Sequence, residues 1–138
     1  MTKKVLDTNV YIDLFANPDL YIDIFISEGP IYLSSVVLME LLAGAHGKNE
    51  KYTVKDLIKL FRKLGRIITP TIKDYEQAGE ILIKLQSAKH YNLKKCSSIT
   101  NDCLIASSAK TIGAVVYTQN KRDFLAIKDV FEFKVEFV

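Results

Sequence analysis

Residues 5–15 read VLDTNVYIDLF, and the meaning of the stretch turns on Asp7. Val5 and Leu6 precede it, and Val10, Tyr11 and Ile12 follow, so burial suits every neighbour except the carboxylate. An ionised carboxylate taken out of water must be paired, protonated or placed on a cation, because the uncompensated charge is strongly disfavoured. Working outward, Lys3 to Asp7 has the pattern of a short strand, buried beyond its lysines. TNVYIDLFA then suits a helical turn or short helix that Thr8 or Asn9 can cap. Asp7 therefore stands where a strand ends and a helix begins.

The same alternation continues along the chain. NPD (17–19) punctuates, and LYIDIFISEG (20–29) predicts a helix ending near Gly29. IYLS (31–34) is a second strand, after which Ser34 or Ser35 can cap VVLMELLAGA, apolar almost all round and stopping near Gly44 or Gly47. YTVKDLIKLFRKLG (52–65) places Val54, Leu57, Ile58, Phe61 and Leu64 at helical spacing, with Gly65 as its end. RIITP (66–70) is a third strand. A long helix is predicted from Ile72, with Tyr75, Ala78, Leu82 and Leu85 on one stripe. NLKKCSS is a polar loop. Thr100 or Ser98 caps NDCLIASSAKTIG, with Leu104, Ile105 and Ala109 inward. AVVYT (114–118) is a fourth strand, QNKRDF a loop or short turn, and FKVEFV (133–138) an alternating strand at a sheet edge. Strands separated by helices imply an α/β fold around a central, mainly parallel sheet. Ligands on such sheets sit outside the carboxyl ends of the strands, where Asp7 and the residues after AVVYT fall.

The totals fit this reading. The 138 residues, about half hydrophobic and a quarter charged, suit one domain spanning 1–138. No apolar run approaches the roughly 20 residues needed to span a bilayer, and the N-terminus shows no secretory h-region. Cys96 and Cys103 are expected to be free thiols, which points to the cytoplasm. Neither they nor His46 and His90 have zinc-ligand spacing, and no GxxxxGK[ST] or GxGxxG loop is present. The net charge of +3 is modest, but Lys48, Lys51, Lys55, Lys59, Arg62, Lys63 and Arg66 cluster. They form either a solvated helix face or a phosphate-contacting surface.

Four carboxylates remain. Asp7 ends its strand, Glu40 interrupts an apolar helix, Asp102 is expected in the first turn of its helix, and Asp123 follows the fourth strand. Each has an ordinary account: a cap for Asp7, an exposed edge or a lysine partner for Glu40, the helix dipole for Asp102, a polar loop for Asp123. Gathered at one end of a sheet they would repel and raise one another's pKa unless a cation joined them. Mg²⁺ and Mn²⁺ prefer such oxygen ligands.

VLDTNVYIDL, LSSVVLMELLAG and TNDCLIASSAKTIGAVVYTQNKRDF together resemble the PIN domain family, most closely its VapC-type ribonuclease toxins from VapBC toxin–antitoxin pairs. The resemblance covers nearly the whole chain. It implies a three-layer α/β sandwich and a metal-dependent endoribonuclease, with Asp7, Glu40 and Asp102 as the central acids on one or two Mg²⁺ or Mn²⁺ ions. Many relatives carry Asp where this chain has Asn120, so either Asp123 supplies a fourth carboxylate or Asn120 serves as a neutral helper. Thr8, Asn9 and Thr118 match positions that orient the acids. The resemblance further implies an RNA substrate, a cognate antitoxin along a groove beside the acids, and a homodimer to which Tyr21, Phe25 and Leu38 could contribute. The alternatives are a PIN nuclease of RNA processing without an antitoxin, and a catalytically silent RNA- or protein-binding module.

Overall fold

The computed structural model describes residues 1–95 and 98–138. Its elements in chain order are β1 (Lys4–Leu6), α1 (Thr8–Ala16), α2 (Ile22–Ile26), β2 (Ile31–Ser34), α3 (Ser35–Gly44), α4 (Lys48–Leu64), β3 (Ile67–Ile68), α5 (Ile72–Ala88), α6 (Ser98–Thr111), β4 (Val115–Thr118), α7 (Lys121–Val130) and β5 (Lys134–Phe137). The strands form one sheet in the order β3-β2-β1-β4-β5, and every pairing is parallel. Helices flank this sheet as an α/β sandwich. Because β1 and β4 run parallel side by side, Leu6 aligns with Tyr117, and Asp7 and Thr118 emerge together.

The chain builds outward from β1 through β2 to β3, then returns to lay β4 on the other side of β1. The strand order thus reverses between β1 and β4, which opens a crevice at their carboxyl ends. β1 is buried along its whole length, as expected of a central parallel strand. Its flanking core includes Leu33, Val37, Ile99, Ile105, Val116 and Phe124, all fully buried.

Several local expectations change. Lys4 is buried at 2% exposure, because its ammonium donates to the carbonyl of Ile24 and, at 2.9 and 2.7 Å, to the carbonyl and hydroxyl oxygens of Ser27. Carbonyls at the end of α2 replace water around the charge, and α2 is only five residues long. Gly29, at φ +110°, passes so close to the N-terminal strand that a Cβ would lie 1.9 Å from the Thr2 carbonyl oxygen. On α5, Tyr75 points outward and Asp74 inward. Asp74 closes a capping box with Thr71 and accepts from the Thr111 hydroxyl, so this buried acid is satisfied by its own surroundings. QNKRDF is no loop beyond Asn120: α7 starts at Lys121, capped by the Asn120 side chain accepting from the Asp123 N–H. The terminal strand β5 alternates half-buried and exposed residues at the sheet edge beside β4, as its sequence predicts.

Candidate active site

Asp7 caps α1 itself, the ordinary account its sequence allows, rather than Thr8 or Asn9. Its Oδ1 accepts from the Thr8 N–H at 2.9 Å, and its Oδ2 accepts from the Thr118 hydroxyl at 2.7 Å. The first donor is local, from the start of α1; the second comes from the register of β1 with β4, which sets the fully buried Thr118 beside the end of β1. Burial raises the Asp7 pKa and the nearby Glu40 charge adds to this, while the Thr118 and Thr8 hydrogen bonds oppose it.

Glu40 reaches the same place from α3. Thr8 donates its hydroxyl to Glu40 Oε1 at 2.6 Å, so Thr8 links two acids, one through its backbone and one through its side chain. Asn101, which sequence reasoning missed, donates to Glu40 Oε2 at 3.3 Å. Its position one residue before Asp102 in TND was the only available signal.

Asp102 is not in a first helical turn. α6 begins at Ser98, so Asp102 is its fifth residue, within a helix buried almost continuously from Asp102 to Ala109. Stabilisation by the helix N-terminus fades after the first turn and no longer accounts for it. The carboxylate is 6% exposed and its pKa is pushed up to about 8, first by burial and then by the charges of Asp7, Asp123 and Glu40. All four acids therefore act on one another at this end of the sheet.

Asn120 occupies the gap between two of them. Its amide donates to Asp102 Oδ2 at 3.3 Å and to Asp123 Oδ2 at 3.0 Å, and its backbone N–H donates to Thr118 at 3.0 Å. Asp123, half-buried in the first turn of α7, also accepts from the Tyr91 hydroxyl at 2.7 Å. Tyr91 is the second residue missed from sequence, since it lies 32 positions from its partner, at the end of the stretch that reads as a long helix. Asn9 is exposed and hydrogen-bonds to none of the four acids. The structure thus brings together Asp7, Glu40, Asp102, Asp123, Thr8, Thr118 and Asn120, and leaves Asn9 outside.

Among the described residues every donor to these acids is neutral: two hydroxyl-bearing threonines, a backbone N–H, two asparagine amides and a phenol. Among the described residues the only ion pair is Lys89–Asp129, which involves none of them. Among the described residues, too, no three Asp, Glu, His or Cys side chains already stand as a metal-holding group. The donor set nevertheless fits a hard divalent cation, being all oxygen and carrying more negative charge than its surroundings offset. Cys103, adjacent to Asp102, is a buried free thiol whose pKa is lifted to about 12, chiefly by burial, which keeps it protonated and inert. Cys96 lies outside the described residues.

Next to Glu40 a groove of about 400 Å³ runs between α1, α3 and α4, lined by Ile12, Phe15, Leu41, Ala45 and Val54 with Glu40 in its wall. No helix is long and apolar enough to cross a membrane among the described residues.

Comparison with known proteins supports the architecture independently. Residues 4–130 match the family model described as PIN domain. The structure of DNA-bound VapBC from Salmonella typhimurium superposes with a TM-score of 0.74 at 24% identity, covering 99% of this chain and 98% of that one. VapBC2 from Rickettsia felis, bound to a promoter DNA fragment, gives 0.72 at 26% identity, covering 99% of each chain. VapBC-1 from nontypeable Haemophilus influenzae gives 0.71 at 23%, covering 98% and 97%. No curated protein matches the chain.

Proposed function

Since the chain belongs to the PIN domain family, we propose that it is a metal-dependent endoribonuclease and the toxin of a toxin–antitoxin pair. The observation that carries this reading is the set of four carboxylates at the switch point of the sheet, served only by neutral donors. A protein using them for stability alone would be expected to place a lysine or arginine among them.

Asp7, Glu40 and Asp102 would hold one or two Mg²⁺ or Mn²⁺ ions, with Asp123 as the fourth acid. When bound, such an ion supplies an acidified water for attack on phosphorus and offsets the charge of the transition state. The chain's own residues do the rest. Thr118 and the Thr8 N–H fix the two oxygens of Asp7. Thr8 and Asn101 fix those of Glu40, so each acid is oriented before substrate arrives. No protein nucleophile is called for, and Cys103 is too buried and too weakly acidic to be one.

For RNA the exposed stripe Lys48, Lys51, Lys55, Lys59 and Arg62 on α4 supplies cations at helical spacing. It extends over about 20 Å at 1.5 Å per residue, suited to phosphates. An antitoxin segment would lay apolar side chains in the groove beside Glu40, and the exposed Ile22, Phe25 and Ile26 of α2 offer a second copy an apolar contact. The testing experiment is a cleavage assay on cellular RNA with and without Mg²⁺, with the cut ends mapped. Metal-dependent cuts leaving 5′-phosphate ends are expected, and metal-independent cleavage or none would overturn the proposal.

A further inference from the structure

We propose that Tyr91 is a positioning residue of this site, holding Asp123 so that the Asn120 amide is fixed against Asp102; the inference rests on the nuclease reading above. Asp123 has both oxygens engaged, Oδ1 by the Tyr91 hydroxyl at 2.7 Å and Oδ2 by Asn120 at 3.0 Å. The same Asn120 amide reaches Asp102 Oδ2 at 3.3 Å, and the Asn120 carbonyl oxygen accepts from the Asp123 N–H at 3.3 Å. A continuous chain of hydrogen bonds therefore runs from Tyr91 to Asp102. Asp102 is also the acid on which the other three charges converge. An amide nitrogen shared between two carboxylates is held in one orientation only while both stay in place. Asp123 is half-buried in the first turn of α7, and Tyr91 fixes the oxygen that Asn120 does not.

The backbone fixes where Tyr91 lies. His90, just before it and directly after the C-cap of α5, adopts the left-handed conformation at φ +57°, a common way for a helix to end. This turns the chain back after α5, and the Tyr91 N–H then donates to the Leu85 carbonyl at 3.1 Å. The residue is thus tied at its backbone to α5 and at its hydroxyl to α7.

The test uses Tyr91→Phe, which removes only the hydroxyl from a half-buried ring. Three readouts separate positioning from general stability. First, Mn²⁺ binding by calorimetry should weaken about 10-fold, the usual scale for losing a partner of a metal-ligand shell. Second, kcat on RNA should fall while KM is kept. Third, in ¹⁵N-labelled protein without added metal, the Asn120 side-chain amide resonance, assigned by its loss in Asn120→Asp, should move. In an Asp123→Asn background, Tyr91→Phe should add nothing to any of these. An unmoved Asn120 amide, a defect that persists in that background, or a change in KM alone would overturn the role while Mn²⁺ binding by the parent protein left the nuclease reading standing. A parent protein that neither binds Mn²⁺ nor cuts RNA would refute both.

Discussion

The raised pKa of Asp102 makes stability depend on pH in a direction that can be worked out. In the unfolded chain its carboxyl titrates near 3.8, and in the folded protein near 8. Between those values the native state holds a proton that the unfolded state has lost, so stability falls as pH rises across the interval. Each pH unit is worth about 1.4 kcal/mol, and the whole interval amounts to on the order of 5 kcal/mol, comparable with the ~5–15 kcal/mol that keeps a domain folded. The perturbation is Asp102→Asn, whose amide imitates the neutral acid at every pH. Urea unfolding of the metal-free protein and the variant, from pH 5 to pH 9, measures it. The variant should already lead by roughly 1–2 kcal/mol near pH 5, about one unit above the unfolded value, and the lead should grow until it is several kcal/mol at pH 9. Parallel profiles, or a variant less stable at pH 9, would refute the account of four charges meeting at Asp102.

Other outcomes follow from the same geometry. Asp7→Asn should abolish RNA cleavage and leave circular dichroism unchanged, because the amide oxygen still accepts from the Thr8 N–H and its NH2 can donate to the Thr118 hydroxyl oxygen, while the charge is gone; normal metal-dependent cleavage would contradict it. Mn²⁺ binding at pH 7 should displace the Asp102 proton, seen as an enthalpy that varies with the ionisation heat of the buffer, whereas a buffer-independent enthalpy would contradict it. Changing Lys51, Lys55 and Lys59 together to Gln should lower the log–log salt slope of RNA binding to Asp102→Asn protein by about 2, at ~0.7 per phosphate contact on a single strand. An unchanged slope would mean that the α4 face is only solvated. Gly29→Ala should destabilise by about 2 kcal/mol or more in urea, since its φ of +110° and its contact with Thr2 leave no room for a side chain.

The parts of the fold legible in the sequence were those set by local periodicity. IYLS, AVVYT and FKVEFV fall on β2, β4 and β5, because β-branched and aromatic runs between turn residues have few other uses. The family resemblance, confirmed by the match over residues 4–130, ordered these pieces. Tertiary contacts governed what was misread. QNKRDF looked like a loop because its five polar residues hide a helix start, and Phe124 and Ile127 reveal the helix only once their burial is known. Lys4 read as exposed because its acceptors, Ile24 and Ser27, lie more than a strand and a helix away. Tyr75 looked apolar enough for the core, yet the capping box fixed the phase of α5 and turned Asp74 inward instead. At the site the four acids were legible one by one. Their partners Asn101, on Glu40, and Tyr91, on Asp123, were not, since hydrogen bonds across 61 and 32 residues leave no trace in a single sequence.

The contrast between Asp74 and Asp102 shows what distinguishes a structural acid from a working one in this fold. Both are buried, at 3% and 6% exposure. Asp74 stands apart from other acids and accepts from the Thr71 N–H at 2.9 Å and from the Thr111 hydroxyl; its charge is met within its own helix and the next. Asp102 accepts one long hydrogen bond, from an amide it shares with another acid, and faces three carboxylates. Removing a partner from Asp74 should therefore harm the fold. Removing the charge of Asp102 should help it, because the fold bears that repulsion without return. A repulsion of several kcal/mol kept at the switch point of a parallel sheet is intelligible if the four acids serve a cation and a phosphate. The same variant, more stable at pH 9 and inactive on RNA, would show both sides of that trade in one protein.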